Sequence, residues 1–330
     1  MNPIHRRACL ALAACGALAA LAALAAPGAL AQTYPAKPIT MVVPFPPGGP
    51  TDMVARLLAQ KLSEQMGQPV VVDNKPGANG NIGGALVSKA AADGHTLLYN
   101  TSSITLSPAL YKSMQYDVLR DLAPVALTAV VPLALVVNPA VPANSVQEFV
   151  AYAKANPGKL SYGSAGNGNV THLAAYQFVR AQGIEATHVP YRGSAPADVD
   201  LAAGQIQFMT DTINSVMAFV KDRRMKLLAV TTAKRMSLFP EVPTLAETVM
   251  PGFEAGAWQG LMVPAGTPAA VVQRLNAEVN KALQSADMRD KLAVQGAEPL
   301  GSTPEEYGAY VRKELARWAT VVKATGVTLE

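Results

Sequence analysis

The chain has 330 residues, half of them apolar, with 27 Lys and Arg against 23 Asp and Glu and a formal charge of +4. That length suits two lobes around a sizeable core, and the weak charge excludes the strong field that nucleic-acid or anionic-lipid binding requires. Both cysteines, Cys9 and Cys15, lie in the first 31 residues, so the chain beyond them has no disulfide, thiolate metal site or cysteine nucleophile.

Residues 1–31 read as an export leader. His5, Arg6 and Arg7 form a positive start, 8–26 is apolar, and Ala29, Leu30 and Ala31 fit a cleavage site before Gln32. Arg6-Arg7 leaves a twin-arginine signal open, and the segment ending at Cys15 leaves lipidation open. No later apolar run is long enough to span a membrane. The expectation is a soluble protein exported to the periplasm.

Downstream, strand-like runs at 39–43, 70–72, 96–99, 133–137, 160–162, 187–189, 206–209, 227–230 and 260–263 alternate with helical patterns. That alternation predicts α/β architecture with a parallel sheet. Helix starts are marked by Ser145 with Glu148, Thr244 with Glu247, and Thr303 with Glu306, each at capping-box spacing. Tyr307, Val311, Leu315, Trp318 and Val322 repeat at helical spacing and read as core. With no linker between lobes, the crossings are expected at 132–139 and 257–264. One lobe then holds 32–132 plus 258–330, and the other 133–257.

Two glycine-rich turns each join a strand to a helix. The first, 45–52, has Gly48 and Gly49 to bring the main chain close to a ligand, and Thr51 or Asp52 as N-cap. No Lys or Arg lies between Ile39 and Val54, so an anion there would be held by neutral donors. The second, 162–172, repeats this design with free amides, small hydroxyls and a helix N-terminus. A third segment, 75–84, fits neither G-x-G-x-x-G nor a P-loop, which argues against nucleotides, but Asn81 at its helix start is a candidate lining residue. Ser164, His172 and Asp211 supply the residue types of a nucleophilic triad without a G-x-S-x-G elbow. Arg192 could offer a forked charge to a carboxylate. No histidine or carboxylate spacing suggests a metal.

In order along the chain, segments 44–52, 74–83, 93–97, 163–166 with 171–174, 188–193, 228–230 with Arg235, 243–247 and 258–268 resemble the periplasmic solute-binding proteins of the tripartite tricarboxylate transporter type, the Bug/TctC family. The resemblance implies a two-lobed type II periplasmic binding protein fold with the ligand cleft between lobes. It also implies a small carboxylate gripped from both sides by amides, hydroxyls and bridging waters. The residues so implied are Phe45, Pro47, Gly48, Gly49, Thr51, Asp52 and Asn81 on one side, and Ser164, Ala165, Gly166, Thr171 and His172 on the other. Ser102 and Asp211 join them by position, Asp211 either repelling a second carboxylate or receiving an amine. Where many relatives carry Ser or Thr, this chain has Asn169 and Val170. No catalytic residue, metal or cofactor is implied; the partners are the ligand and the transporter's membrane components, with the receptor a monomer. Two alternatives share the pocket: a sensor for a membrane signalling partner, and an acyl hydrolase using Ser164 and His172.

Overall fold

The computed structural model describes residues 34–236 and 238–325. The expected leader, with Cys9, Cys15 and the cleavage site, lies outside the described residues. Short runs of Val, Ile and Leu form strands because branched side chains pack well on a pleated surface. Three of them, β1 (Ile39–Val43), β2 (Val70–Asn74) and β3 (Thr96–Thr101), are parallel with β1 in the middle. Each feeds a helix at its C-terminal end: α1 (Pro50–Met66), a 3-10 turn (Ala78–Gly80) running into α2 (Asn81–Ser88), and α3 (Ser103–Leu110).

After α4 (Val118–Asp121) comes the 16-residue strand β4 (Leu122–Val137). Up to Pro132 it pairs antiparallel with β9 (Gly256–Pro264) and β10 (Glu298–Pro299). From Leu133 it pairs antiparallel with β7 (Phe208–Thr212) and β8 (Lys226–Val230). Next to β7 lies parallel β5 (Leu160–Ser164), and next to that β6 (Ala186–Pro190). The strand order β2-β1-β3-β9-β4-β7-β5-β6 gives an α/β fold of two lobes sharing β4.

The expected all-parallel sheet is therefore corrected to a mixed one. β4 runs antiparallel to each of its partners β7, β8, β9 and β10, whereas β1 with β2 and β3, and β5 with β6 and β7, pair in parallel. β9 lies wholly beside β3 and the first part of β4. The strand expected at 206–209 begins two residues later, because Ile206 is a buried turn residue packed at Gly163. Apolar pattern alone does not separate those two cases.

The second half carries α5 (Val146–Ala155), α6 (Val170–Gln182), α7 (Ser194–Ala202), α8 (Ile213–Lys221) and α9 (Leu245–Thr248). Its core centres on Phe149, whose ring lies 4.9 Å from Phe208 edge-on and 6.1 Å from Phe178. The chain closes with α10 (Ala269–Gln284), α11 (Ala286–Val294) and α12 (Pro304–Thr325). The stripe on α12 is core, as expected, and it serves two cores. Tyr307 and Val311 enter the cluster around Leu98 and Trp258, while Trp318 and Val322 enter the one around Phe149. Thr244–Glu247 forms a full capping box, and Thr303 and Glu306 bond reciprocally. Ser145 accepts the Glu148 amide, but the Glu148 carboxylate takes the Asn144 amide in place of Ser145's own.

Candidate ligand site

The C-terminal ends of β1, β2 and β3 and the helix starts above them make the first wall. The N-cap of α1 is Gly49 with Pro50 as first helical residue, not Thr51 or Asp52. Proline takes that position because its missing N–H would be unpaired there anyway. Asp52 instead sits in the first turn, 2 % exposed, and reaches back to the Gly48 amide at 2.9 Å. It also accepts from Arg56 Nε at 2.8 Å and Asn74 Nδ2 at 2.8 Å. Asn74 in turn donates to the Phe45 carbonyl at 3.0 Å. Burial alone would raise the Asp52 carboxyl, but hydrogen bonds from Arg56, Gly48 and Asn74 together hold it below its ordinary value. The loop is thus tied from beneath. Gly48 and Pro47 are exposed, while Phe45, Gly49 and Thr51 are half-buried; Gly48 has φ +76°, a conformation that favours glycine.

Beside this loop is a cavity of about 10 Å³ lined by Pro44, Asn79, Gly80, Asn81, Asn100 and Ser103, among others. It has the size of a single water. The Nδ2 atoms of Asn79 and Asn100 are buried without a partner. Asn100 is oriented by the Tyr307 hydroxyl, which donates to its Oδ1 at 2.7 Å. Two orphaned donors among residues lining one small cavity call for an acceptor oxygen. Asn81 also borders an open groove of about 470 Å³ with Ile82, Leu86, Tyr111 and Met114. Sequence reasoning missed Asn79 and Asn100, because an asparagine in a strand or turn carries no motif. Ser102 is 1 % exposed and its amide donates to the Trp258 carbonyl.

The second wall follows β5. Its loop is less open than its glycines suggest. The Ala165 amide donates to Thr171 Oγ1 at 3.0 Å, the Gly166 amide to Ser164 Oγ at 3.2 Å, and the Gly168 amide to His172 Nδ1 at 3.1 Å. Asn169 is the N-cap of α6, its side chain accepting from the Thr171 amide. The departure from Ser or Thr at that position is thus a cap for a cap. The expectation of free amides across this loop is corrected accordingly: its polar side chains take up the amides within the loop.

The triad drawn from the sequence does not assemble. Ser164 Oγ lies 2.7 Å from Nε2 of His188, not from His172. The His172 and His188 rings stack at 3.9 Å, only 7° from parallel. Burial, reinforced by the neighbouring His188, pulls the His172 imidazole down to about 3, and burial pulls His188 down to about 4. Both rings are neutral near pH 7. Because His172 Nδ1 accepts from Gly168, its proton is on Nε2.

Asp211 is fully buried near the end of β7. Its Oδ1 accepts from the Ser194 hydroxyl at 2.8 Å, the Thr212 amide at 2.6 Å and the Thr212 hydroxyl at 3.3 Å. Arg192 is exposed on the turn before α7. No hydrogen bond joins the 45–52 loop to the 164–172 loop among the described residues. Among those residues, too, no group of three or more His, Cys, Asp or Glu could hold a metal, and no helix is long and apolar enough to cross a membrane.

Comparison with known proteins agrees with this geometry. Residues 54–327 match the family described as the tripartite tricarboxylate transporter family receptor. Protein BugT of Bordetella pertussis is 41% identical over 302 residues, covering 91% of this chain and 93% of that protein. A solved structure of R. palustris Rpa4515 with adipate superposes with a TM-score of 0.85 at 40% identity, covering 89% of this chain and 99% of the other. MatC of Rhodopseudomonas palustris with bound malate superposes with a TM-score of 0.79 at 34% identity, covering 88% of this chain and all of the other. The chain therefore belongs to the tripartite tricarboxylate transporter receptor family.

Proposed function

We propose that this protein is a periplasmic receptor that captures a small organic acid between its lobes and delivers it to the membrane components of a tripartite tricarboxylate transporter. Residues 32–132 with 258–330 form one lobe in this reading, and 133–257 the other. Closure is a hinge motion about the strand they share.

The observation that carries the proposal is the pair of orphaned amide donors, Asn79 and Asn100, among the residues lining a small cavity next to Pro44 and the tied 45–52 loop. They supply neutral donors where an anion's oxygen, direct or through one water, completes the hydrogen bonding. The first-turn amides of α1 face the same requirement, since no helix pairs its own first N–H groups. In this reading Phe45, Pro47, Gly48, Gly49, Thr51, Asn81 and Ser102 shape that wall, and Asp52 holds its loop in place. Ser164, Ala165, Gly166, Thr171, His172 and Asp211 form the opposing wall as a pre-set shape. Relatives solved with adipate and with malate support a carboxylate ligand.

A thermal-shift screen of the exported form against mono-, di- and tricarboxylates, aromatic acids, amino acids and sugars tests this. A true ligand at about a hundredfold over its Kd adds roughly 2.7 kcal/mol of stability. A flat response to every carboxylate, with a clear shift from a sugar, would end the carboxylate reading.

A further inference from the structure

The second wall holds an acid pair that carboxylate binding does not explain. Asp198 on α7 and Asp211 on β7 are 2 % and 0 % exposed, and among the described residues neither forms an ion pair with Lys or Arg. Asp198 Oδ2 is hydrogen-bonded by the Ser215 hydroxyl of α8. One oxygen of each acid, Asp198 Oδ1 and Asp211 Oδ2, is buried with no partner. A buried carboxyl oxygen with no donor favours protonation of its own acid. Burial raises both groups, Asp211 raising Asp198 further. Asp211 accepts three hydrogen bonds on Oδ1 and Asp198 only one on Oδ2, so Asp211 is the better held as an anion and Asp198 the more readily protonated.

That arrangement fixes what the wall can offer. The Ser194 and Thr212 hydroxyls both commit their protons to Asp211. Only lone pairs remain on those oxygens. Ser194 is half-buried at the first position of α7, directly after Gly193, whose amide donates to the Ala165 carbonyl. β7 runs parallel to β5 with Met209 level with Gly163, which places Asp211 level with Ala165. The acceptor oxygens thus border the 164–172 loop.

Building on the receptor reading above, we propose that Ser194, Thr212 and Asp211 form a subsite for a hydrogen-bond donor. The ligand then carries one carboxylate, and its other end is a hydroxyl or ammonium group, not a second carboxylate. A second carboxylate would meet acceptors and one buried negative charge that no Lys or Arg pairs among the described residues.

The test is calorimetric titration of the exported form with adipate, 6-hydroxyhexanoate and hexanoate, and with the corresponding diacid, hydroxy acid and monoacid on a para-substituted benzene ring. The hydroxy acid is expected to bind at least about tenfold tighter than the matching diacid. In Asp211→Asn that preference should shrink by about tenfold, because the buried negative charge is removed while the amide oxygen keeps the Ser194 and Thr212 donors. Ser194→Ala is the milder control for folding: hydroxy-acid affinity should drop while monoacid affinity holds. Diacids binding as tightly as hydroxy acids on the unaltered protein would overturn the subsite and leave the receptor reading standing. Binding by none of these acids, nor by the matching amino acids, would remove both.

Discussion

Asp52 shows how a charged residue in a ligand loop can serve the loop more than the ligand. Its carboxylate satisfies the Gly48 amide and the Asn74 side chain from a buried position, and Arg56 closes the network from outside. Asp52→Ala takes the charged acceptor from the Gly48 amide, the Asn74 side chain and the Arg56 guanidinium. The expected cost is about 2 kcal/mol in chemical denaturation, with weaker ligand affinity as the Phe45 carbonyl loses its fixed neighbour. Ser164 makes a similar point. Its hydroxyl links His188 to the Gly166 amide and carbonyl, and so sets the loop's shape.

Among the elements, α12 and β9 meet at a contact that leaves no spare volume. A Cβ at Gly260 would collide with the Tyr307 hydroxyl and ring. Tyr307 is fully buried and bonded to Asn100, so it has nowhere to move. Gly260→Ala is expected to destabilise by roughly 1–3 kcal/mol, seen as a lower Tm. It should also weaken ligand binding, since a displaced Tyr307 releases the Asn100 amide at the small cavity. Much at this scale was readable in advance. The helix starts at Thr244 and Thr303, the apolar stripe of α12 and the position of β1 follow from capping chemistry and periodicity. The first part of β4 was not, because Pro124 and Pro132 interrupt its pattern, although Pro124 is tolerated where the register shifts. At the site, the glycine turns were readable, but their internal hydrogen bonding was not. Which amide Thr171 or Asn169 captures depends on loop geometry that residue types do not specify.

For the whole molecule, two buried pairs give stability opposite pH dependences. His172 and His188 have folded values near 3 and 4 against an ordinary 6.5. Between pH 4 and 6.5 the unfolded chain therefore binds more protons, and their contribution falls as pH falls. Asp198 and Asp211 are raised by burial, so their contribution is complete below the ordinary carboxylate value and is lost as pH rises. Over the shared window the two oppose each other. His188→Gln removes part of one slope. Its Tm deficit against the unaltered protein should be smallest near pH 4, grow toward pH 6.5, and stay constant above. A deficit independent of pH would contradict a neutral, buried His188.

The shared strand β4 also governs when the molecule can form at all. Its partners come from residues 208–230, 256–264 and 298–299, so every sheet edge it completes waits on chain made much later. During synthesis, the half-sheet beyond Leu133 cannot close before β8 is made, nor the one before it until β9 and β10 are. Contacts this distant in sequence slow folding, and they hold the growing chain open for most of its translation. A chain that must thread through a membrane pore before folding would gain its delay from this one strand.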